Sequence, residues 1–249
     1  MAVVSVAAPE RGIATLTLDS PANRNALSKA LVGELAAALA DAAADDTVRA
    51  LVLTHTGTAF CAGADLRQPP DPADFVALLR QVLALPKPVV ARVRGHVRAG
   101  GLGLLAACDI AVADAGAATF ALTEVHLGLV PAVISLTLLP RLDPAAAARY
   151  HLTGERFDAA EAARIGLVTA YADDVDAALT PVLDGLRKAA PGALADTKRL
   201  LTAKVLTAFD HDADAVTSLI DLSERRFGSA EAREGMTAFL ERRERPWVL

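Results

Sequence analysis

The sequence predicts an α/β fold with largely parallel sheets, and three observations carry that prediction. Short apolar runs at residues 50–54, 89–93 and 110–113 alternate with helical stretches, as strands buried on both faces of a parallel sheet do. At 249 residues the chain can bury a large interior. It is 53% hydrophobic but only 4% aromatic, so that interior is aliphatic, packed from Ala, Leu and Val. Beyond about residue 190 the strand signals stop and helical patterns take over. This divides the chain into a core at 1–190 and a helical C-terminal region at 191–249.

The elements follow in order. Residues 3–7 and 13–18 alternate like two short strands, joined as an antiparallel hairpin at Pro9-Glu-Arg-Gly12. Residues 28–43 form an amphipathic helix with Leu31, Leu35 and Leu39 at four-residue steps and Ser28 as its cap. A buried strand at 50–54 comes next. Pro69-Pro-Asp-Pro72 is the clearest breaker and marks an exposed, mobile loop. The stiff Leu85-Pro-Lys-Pro88 leads into the strand at 89–93, and a third strand lies at 110–113. Three helices, at 192–204, 210–227 and 229–243, complete the chain.

Composition narrows the function. A net charge of -5 and a pI near 5.5 give no overall basic footprint for nucleic acid, so an anionic small ligand needs a local basic cluster. Cys61 and Cys108 form neither a metal spacing nor a redox pair and read as buried thiols in a reducing compartment. The N-terminus lacks a basic leader before an apolar segment, and no apolar run approaches the roughly 20 residues of a membrane span. A soluble cytoplasmic chain is expected.

Three segments could carry chemistry. In Thr56-Gly-Thr-Ala-Phe-Cys-Ala-Gly-Ala-Asp-Leu66, the small Ala62, Gly63 and Ala64 leave backbone N–H groups open to a ligand. The plain alternative is a strand-to-helix turn with Asp65 as a helix cap. Gly100-Gly-Leu-Gly103 opens an apolar helix whose free N–H groups and dipole favour negative charge. Paired N–H groups from these two turns would make an oxyanion hole, whereas glycine chosen only for close packing is the alternative. The third is Glu124, a lone carboxylate in an apolar stretch, where poor solvation raises the pKa as a residue that takes and returns a proton requires. An outward-pointing loop glutamate is the alternative.

Residues 101–106 also fit a dinucleotide glycine fingerprint with Glu124 about 20 residues on. Against it, the motif sits mid-chain without a tight strand-to-glycine junction. No Gly-x-Ser-x-Gly elbow, His-Glu-x-x-His or phosphate loop occurs. Histidines 55, 96, 126, 151 and 211 show no ligand spacing, so no metal is expected.

Together the segments resemble the crotonase, or enoyl-CoA hydratase/isomerase, superfamily across nearly the whole chain. The likeness runs from Ser20-Pro-Ala-Asn-Arg-Asn-Ala-Leu27 through Phe60-Cys-Ala-Gly-Ala-Asp-Leu66, Lys87-Pro88, residues 95–109 and 124–131, to Glu234-Gly-Met-Thr-Ala-Phe-Leu-Glu-Arg-Arg243. The resemblance implies a crotonase-like spiral of ββα units, a C-terminal helical region that builds homotrimers or hexamers, and an acyl-CoA thioester ligand. It implies no cofactor beyond the coenzyme A of the substrate, and neither a nucleic acid nor a membrane partner. By the same resemblance Ala64 and Gly100 supply the oxyanion N–H groups and Glu124 the acid/base. Arg24 and Arg67 lie near the CoA phosphates, the backbone around Ala62 faces the adenine, and Ala26, Asp65, Leu66 and Pro131 complete the thioester site.

Departures from the family pattern qualify the reaction. The first of the usual two catalytic glutamates falls on Gly103, Ala99 replaces a glycine, and Ala132-Val-Ile-Ser135 replaces a glycine-rich stretch. The expected activity is hydration of a 2-enoyl-CoA thioester. A Δ3,Δ2-enoyl-CoA isomerase using the same glutamate and a non-catalytic acyl-CoA-binding protein are the alternatives. If the missing carboxylate limits hydration and the pocket has room, a carboxylate restored at position 103 should speed the reaction.

Overall fold

The computed structural model describes residues 2–210 and 212–249, so His211 of the sequence reading lies outside the described residues. The chain opens on the expected hairpin, β1 (Val4–Glu10) antiparallel to β2 (Ile13–Leu18). Its turn is tighter than the sequence suggested. The first strand runs on through Pro9 to Glu10, and only Arg11 and Gly12, both at positive φ, make the connection. Proline is tolerated there because β1 is the sheet edge and needs no donor on its free side.

Helix α1 (Lys29–Ala44) starts where Ser28 Oγ accepts the Leu31 N–H at 3.2 Å, and buries the Leu31, Leu35, Leu39 stripe. The chain then repeats one unit. Strand β3 (Ala50–His55) is followed by the short β4 (Ala59–Cys61) and helix α2 (Pro72–Ala84). Strand β5 (Val89–Val93) leads to β6 (His96–Arg98) and α3 (Gly100–Ala107), and β7 (Ile110–Asp114) leads to β8 (Thr119–Ala121). Each first strand joins one sheet, ordered β1-β2-β3-β5-β7-β10 with β10 at Ala170–Ala172, and each second strand joins a smaller one, ordered β4-β6-β8-β9 with β9 at Phe157–Asp158. From β2 to β10 the large sheet is parallel throughout.

That topology explains the unbroken apolar runs. Leu51, Leu53, Val89 and Ala91 face the main core, while Ala50, Val52, Val90 and Val112 face a second layer with Val175 and Leu179 of helix α7 (Val175–Lys188). Between them lie α4 (Ser135–Leu138), α5 (Pro144–Thr153), β9 (Phe157–Asp158), α6 (Ala159–Arg164) and β10 (Ala170–Ala172), none of them foreseen. Helix α2 was also missed. Pro72 does not end a loop but opens that helix, with Asp71 Oδ1 accepting the Ala73 N–H at 2.8 Å.

Three helices follow Ala190: α8 (Pro191–Asp210), α9 (Ala213–Phe227) and α10 (Ala230–Glu241). The second starts later than the expected residue 210, because Asp210 ends α8 and Asp212 caps α9. These helices share the core. Phe209 joins the main cluster, and Lys198, 4% exposed, pairs with Asp109 at 2.7 Å while donating to the Val82 and Lys87 carbonyls. No helix among the described residues is long and apolar enough to cross a membrane.

Candidate active site

Strands β4, β6 and β8 are parallel, so the loops that leave their C-terminal ends emerge at one edge of the small sheet. Those loops carry Ala62 to Leu66, Ala99 with Gly100, and Leu122 to Glu124. A cavity of about 1530 Å³ opens over them. Every residue assigned by sequence to catalysis or thioester binding lines it: Glu124, Ala64, Gly100, Arg24, Ala26, Ala62, Asp65, Leu66, Arg67 and Pro131.

The first loop is held from behind by residues 24–27. Leu27 donates its N–H to Gly63 O at 2.7 Å and accepts from Asp65 N–H at 2.9 Å, which leaves the Ala64 N–H between them unused. Ala62 donates to Arg24 O at 3.1 Å, so only its carbonyl is open to a ligand. Asn25 fixes this backing segment. Fully buried, its Nδ2 donates to Thr56 O and Ala59 O at 2.9 and 2.8 Å, and its Oδ1 accepts from Ser20 N–H. Asp65 caps no helix. Its Oδ1 accepts the Arg67 N–H at 2.9 Å in a local turn.

The second loop presses against the first. Gly63 has φ +90°, and a Cβ there would stand 2.8 Å from the Ala99 Cβ. Ala99 itself sits at φ 49°, ψ -123°, a conformation that strains any residue but glycine, and donates to Ala121 O. It turns the chain into α3 so that the Gly100 N–H stands at the helix's positive end. Among the described residues, neither the Ala64 nor the Gly100 N–H donates to a protein acceptor.

Glu124 begins a short 3₁₀ turn, Glu124–Leu127, and is only 7% exposed. Burial pushes its carboxyl up to about 7, offset in part by its own backbone N–H. Its Oε2 is buried and has no hydrogen-bond partner among the described residues. The turn is braced by Leu129 N–H donating to Glu124 O and by His126 Nε2 donating to Thr153 O at 2.7 Å. Helix α10 packs against it so closely that a Cβ on Gly235 would meet Leu127 O at 2.5 Å.

Position 103 has no room for a carboxylate. A Cβ added to Gly103 would lie 2.4 Å from Cγ2 of Ile134, which itself lines the cavity. The room on which a faster Gly103→Glu variant was made conditional is therefore not there.

Sequence reading missed several wall residues. Phe75 comes from the unforeseen α2, Arg98 ends β6 and Arg156 precedes β9, and Phe227, Phe239, Leu240, Arg242 and Arg245 line the cavity from the C-terminal region. The helical pattern at 229–243 was visible, but nothing in it says that Phe239 and Leu240 turn toward Glu124's cavity.

Known proteins share this architecture. The pattern of the enoyl-CoA hydratase/isomerase family matches residues 8–248. A solved enoyl-CoA hydratase from Mycobacterium avium is 49% identical, covers 100% of both chains and superposes with a TM-score of 0.91. A Thermus thermophilus protein with a provisional enoyl-CoA hydratase name is 36% identical over 94% of this chain and 97% of its own. The Escherichia coli 1,2-epoxyphenylacetyl-CoA isomerase is 32% identical over 94% and 93%. Since both the family pattern and a full-length structural relative span the core and the C-terminal helices alike, this chain belongs to the enoyl-CoA hydratase/isomerase family and has its crotonase fold.

Proposed function

We propose that the protein is an enoyl-CoA hydratase that adds water to a 2-enoyl-CoA thioester, with Glu124 as its single acid/base. The observation that carries this reading is the Glu124 carboxyl, held near neutrality by burial and with one oxygen unpartnered inside the cavity. In the proposed reaction the ionised carboxylate takes a proton from a water as its oxygen bonds to C3. The C2–C3 π electrons move onto the thioester oxygen, where the Ala64 and Gly100 N–H groups hold the enolate. Glu124 then returns the proton to C2 on the same face and is ionised again. Arg24, Arg67 and Asp65, with the Ala62 carbonyl, would receive the coenzyme A portion.

Isomerisation between 3-enoyl and 2-enoyl thioesters is the second reading, favoured by the blocked position 103, which leaves one carboxylate for proton transfer. A homotrimer or a pair of trimers is proposed from the family resemblance, and the exposed Leu200 and Leu201 of α8 offer apolar surface for such contacts. Two buried free thiols suit a cytoplasmic protein.

Incubation with crotonyl-CoA and with a 3-enoyl-CoA, followed by mass and by absorbance of the conjugated thioester, separates the readings. Hydration adds one water to crotonyl-CoA; isomerisation creates conjugation without a mass change. Binding without either product would leave an acyl-CoA carrier. Glu124→Gln should abolish turnover while thioester binding persists, and full activity in that variant would sink both enzymatic readings.

A further inference from the structure

Glu124 is aimed without help from another side chain. Burial raises its carboxyl to about 7, only its own backbone N–H opposes that, and its Oε2 has no partner among the described residues. A carboxylate that nothing orients takes its position from its backbone. That backbone is the four-residue turn Glu124–Leu127, too short to hold a shape by itself.

Contacts with almost no clearance hold the turn on two sides. On one, His126 fills the space beside Gly154, where a Cβ would lie 2.7 Å from its Cε1, and its Nε2 donates to Thr153 O at 2.7 Å. On the other, α10 lies across the turn. Gly128 ends the turn at φ +71°, and a Cβ there would stand 2.7 Å from the Glu231 carbonyl carbon; a Cβ on Gly235 would stand 2.5 Å from Leu127 O. Residues 231 and 235 are about one helical turn apart, so the backbone of α10 meets the backbone of the turn at both points. The buried face of α10 is Ala232, Gly235 and Ala238, whose side chains are too small to hold the two backbones apart.

The other ties of α10 are weaker. Its ion pairs, Arg226 with Glu231 and Arg243 with Glu234, lie at the surface, where such pairs contribute little. It also packs on the Glu124 turn more extensively than on α9. We propose that α10 is a positioning element for the acid/base, with Gly235 as the positioning residue, because its missing side chain lets the helix backbone hold the Glu124 turn in place. The inference rests on the acid/base role of Glu124 proposed above.

Gly235→Ala in the full chain tests it, assayed with whichever of crotonyl-CoA and a 3-enoyl-CoA the protein turns over. An ordinary contact at that Cβ is 3.4 Å or more against the 2.5 Å available, so helix or turn must give by about 1 Å. A displacement of that size at a reacting group costs on the order of 100-fold in rate, and kcat should fall by about that factor. Affinity for the unreactive butanoyl-CoA should stay within about twofold. A carboxyl moved out of its dry position also titrates lower. The rise of kcat with pH, centred near pH 7 in the unaltered protein, should therefore move down by about one unit or more.

A fold that is merely weakened lowers kcat by the same factor at every pH and leaves that midpoint in place, which would overturn the proposal, as would full activity in the variant. Equal losses of kcat and of butanoyl-CoA affinity would show that the methyl had shifted Phe239 and Leu240 in the cavity wall, and would overturn it too. Should Gly235→Ala fail to fold, Ser229→Ala decides. It removes the hydroxyl that accepts the Ala232 N–H at 3.1 Å, loosens the first turn of α10 at Glu231 and adds no atom, so the midpoint should move the same way; an unchanged midpoint would overturn the proposal. If Glu124→Gln keeps full activity, or the unaltered protein turns over neither thioester, the acid/base reading falls and takes the role of α10 with it. If Glu124→Gln is inactive while the variants at 235 and 229 keep both rate and midpoint, the role of α10 alone falls.

Discussion

Replacing Glu124 with glutamine should stabilise the protein, and by an amount that depends on pH. A glutamate that titrates near 4.5 when unfolded and at about 7 when folded binds more protons in the folded state between those values. Its contribution to stability therefore falls as pH rises through that window and stays low above it. At 1.36 kcal/mol per pH unit, the folded state loses about 3 kcal/mol by pH 8 relative to pH 4. Glutamine cannot ionise and escapes that loss. For a chain of this size about 1 kcal/mol moves the melting temperature by roughly 2–4 °C. The difference in melting temperature between Glu124→Gln and the unaltered protein should thus grow by roughly 6–12 °C between pH 4.5 and pH 8. Scanning calorimetry of both proteins across that range, with the difference taken at each pH, isolates this group from every other titration. A difference that stays constant would show that Glu124 is solvated in the fold and would remove the physical basis for its acid/base role. Turnover should move oppositely, rising through about pH 7 as the carboxylate ionises.

Three further outcomes follow from packing. Gly103→Glu alone should lower the melting temperature by overpacking worth about 1–3 kcal/mol or more, without a gain in crotonyl-CoA hydration; pairing it with Ile134→Gly should recover part of that loss, and a faster single variant with its fold preserved would contradict the steric argument. Lys198→Met strands Asp109, 15% exposed, without its cation, and should cost about 3–5 kcal/mol in chemical denaturation; a loss below about 1 kcal/mol would mean that water reaches the pair. Ala99→Gly relieves the positive φ at the turn before Gly100 and should raise stability by about 1 kcal/mol, and a decrease in denaturant midpoint would refute the strain.

The large sheet was legible except for β10, because burial on both faces makes a strand such as Ala50–His55 apolar throughout, a signal that survives without any knowledge of its neighbours. The small sheet was not. Strands Ala59–Cys61, His96–Arg98 and Thr119–Ala121 have three residues each, too few for a period to register, and pairing alone holds them extended. Yet they aim the site loops. The loops themselves could be read, since unobstructed backbone at Ala62 to Ala64 and a carboxylate amid apolar residues at Glu124 are local properties of the sequence. Which N–H groups remain free was not local, because Leu27 takes the bonds on either side of Ala64 from a distant segment.

The same distinction resolves the departures from the family pattern. Gly103, where the family resemblance has a glutamate, and Ile134, within the stretch that replaces glycine-rich sequence, stand far apart in sequence and read as two separate losses. In the fold they touch, and the isoleucine methyl occupies the space that a side chain at 103 would need. A carboxylate at 103 requires a small residue at 134, and a branched side chain at 134 requires glycine at 103, so neither position can be altered alone without a clash or a cavity. The wall beside Glu124 is consequently apolar where the family's paired-glutamate enzymes place a second acid. Under the proposed hydration, the water and the proton would both fall to Glu124.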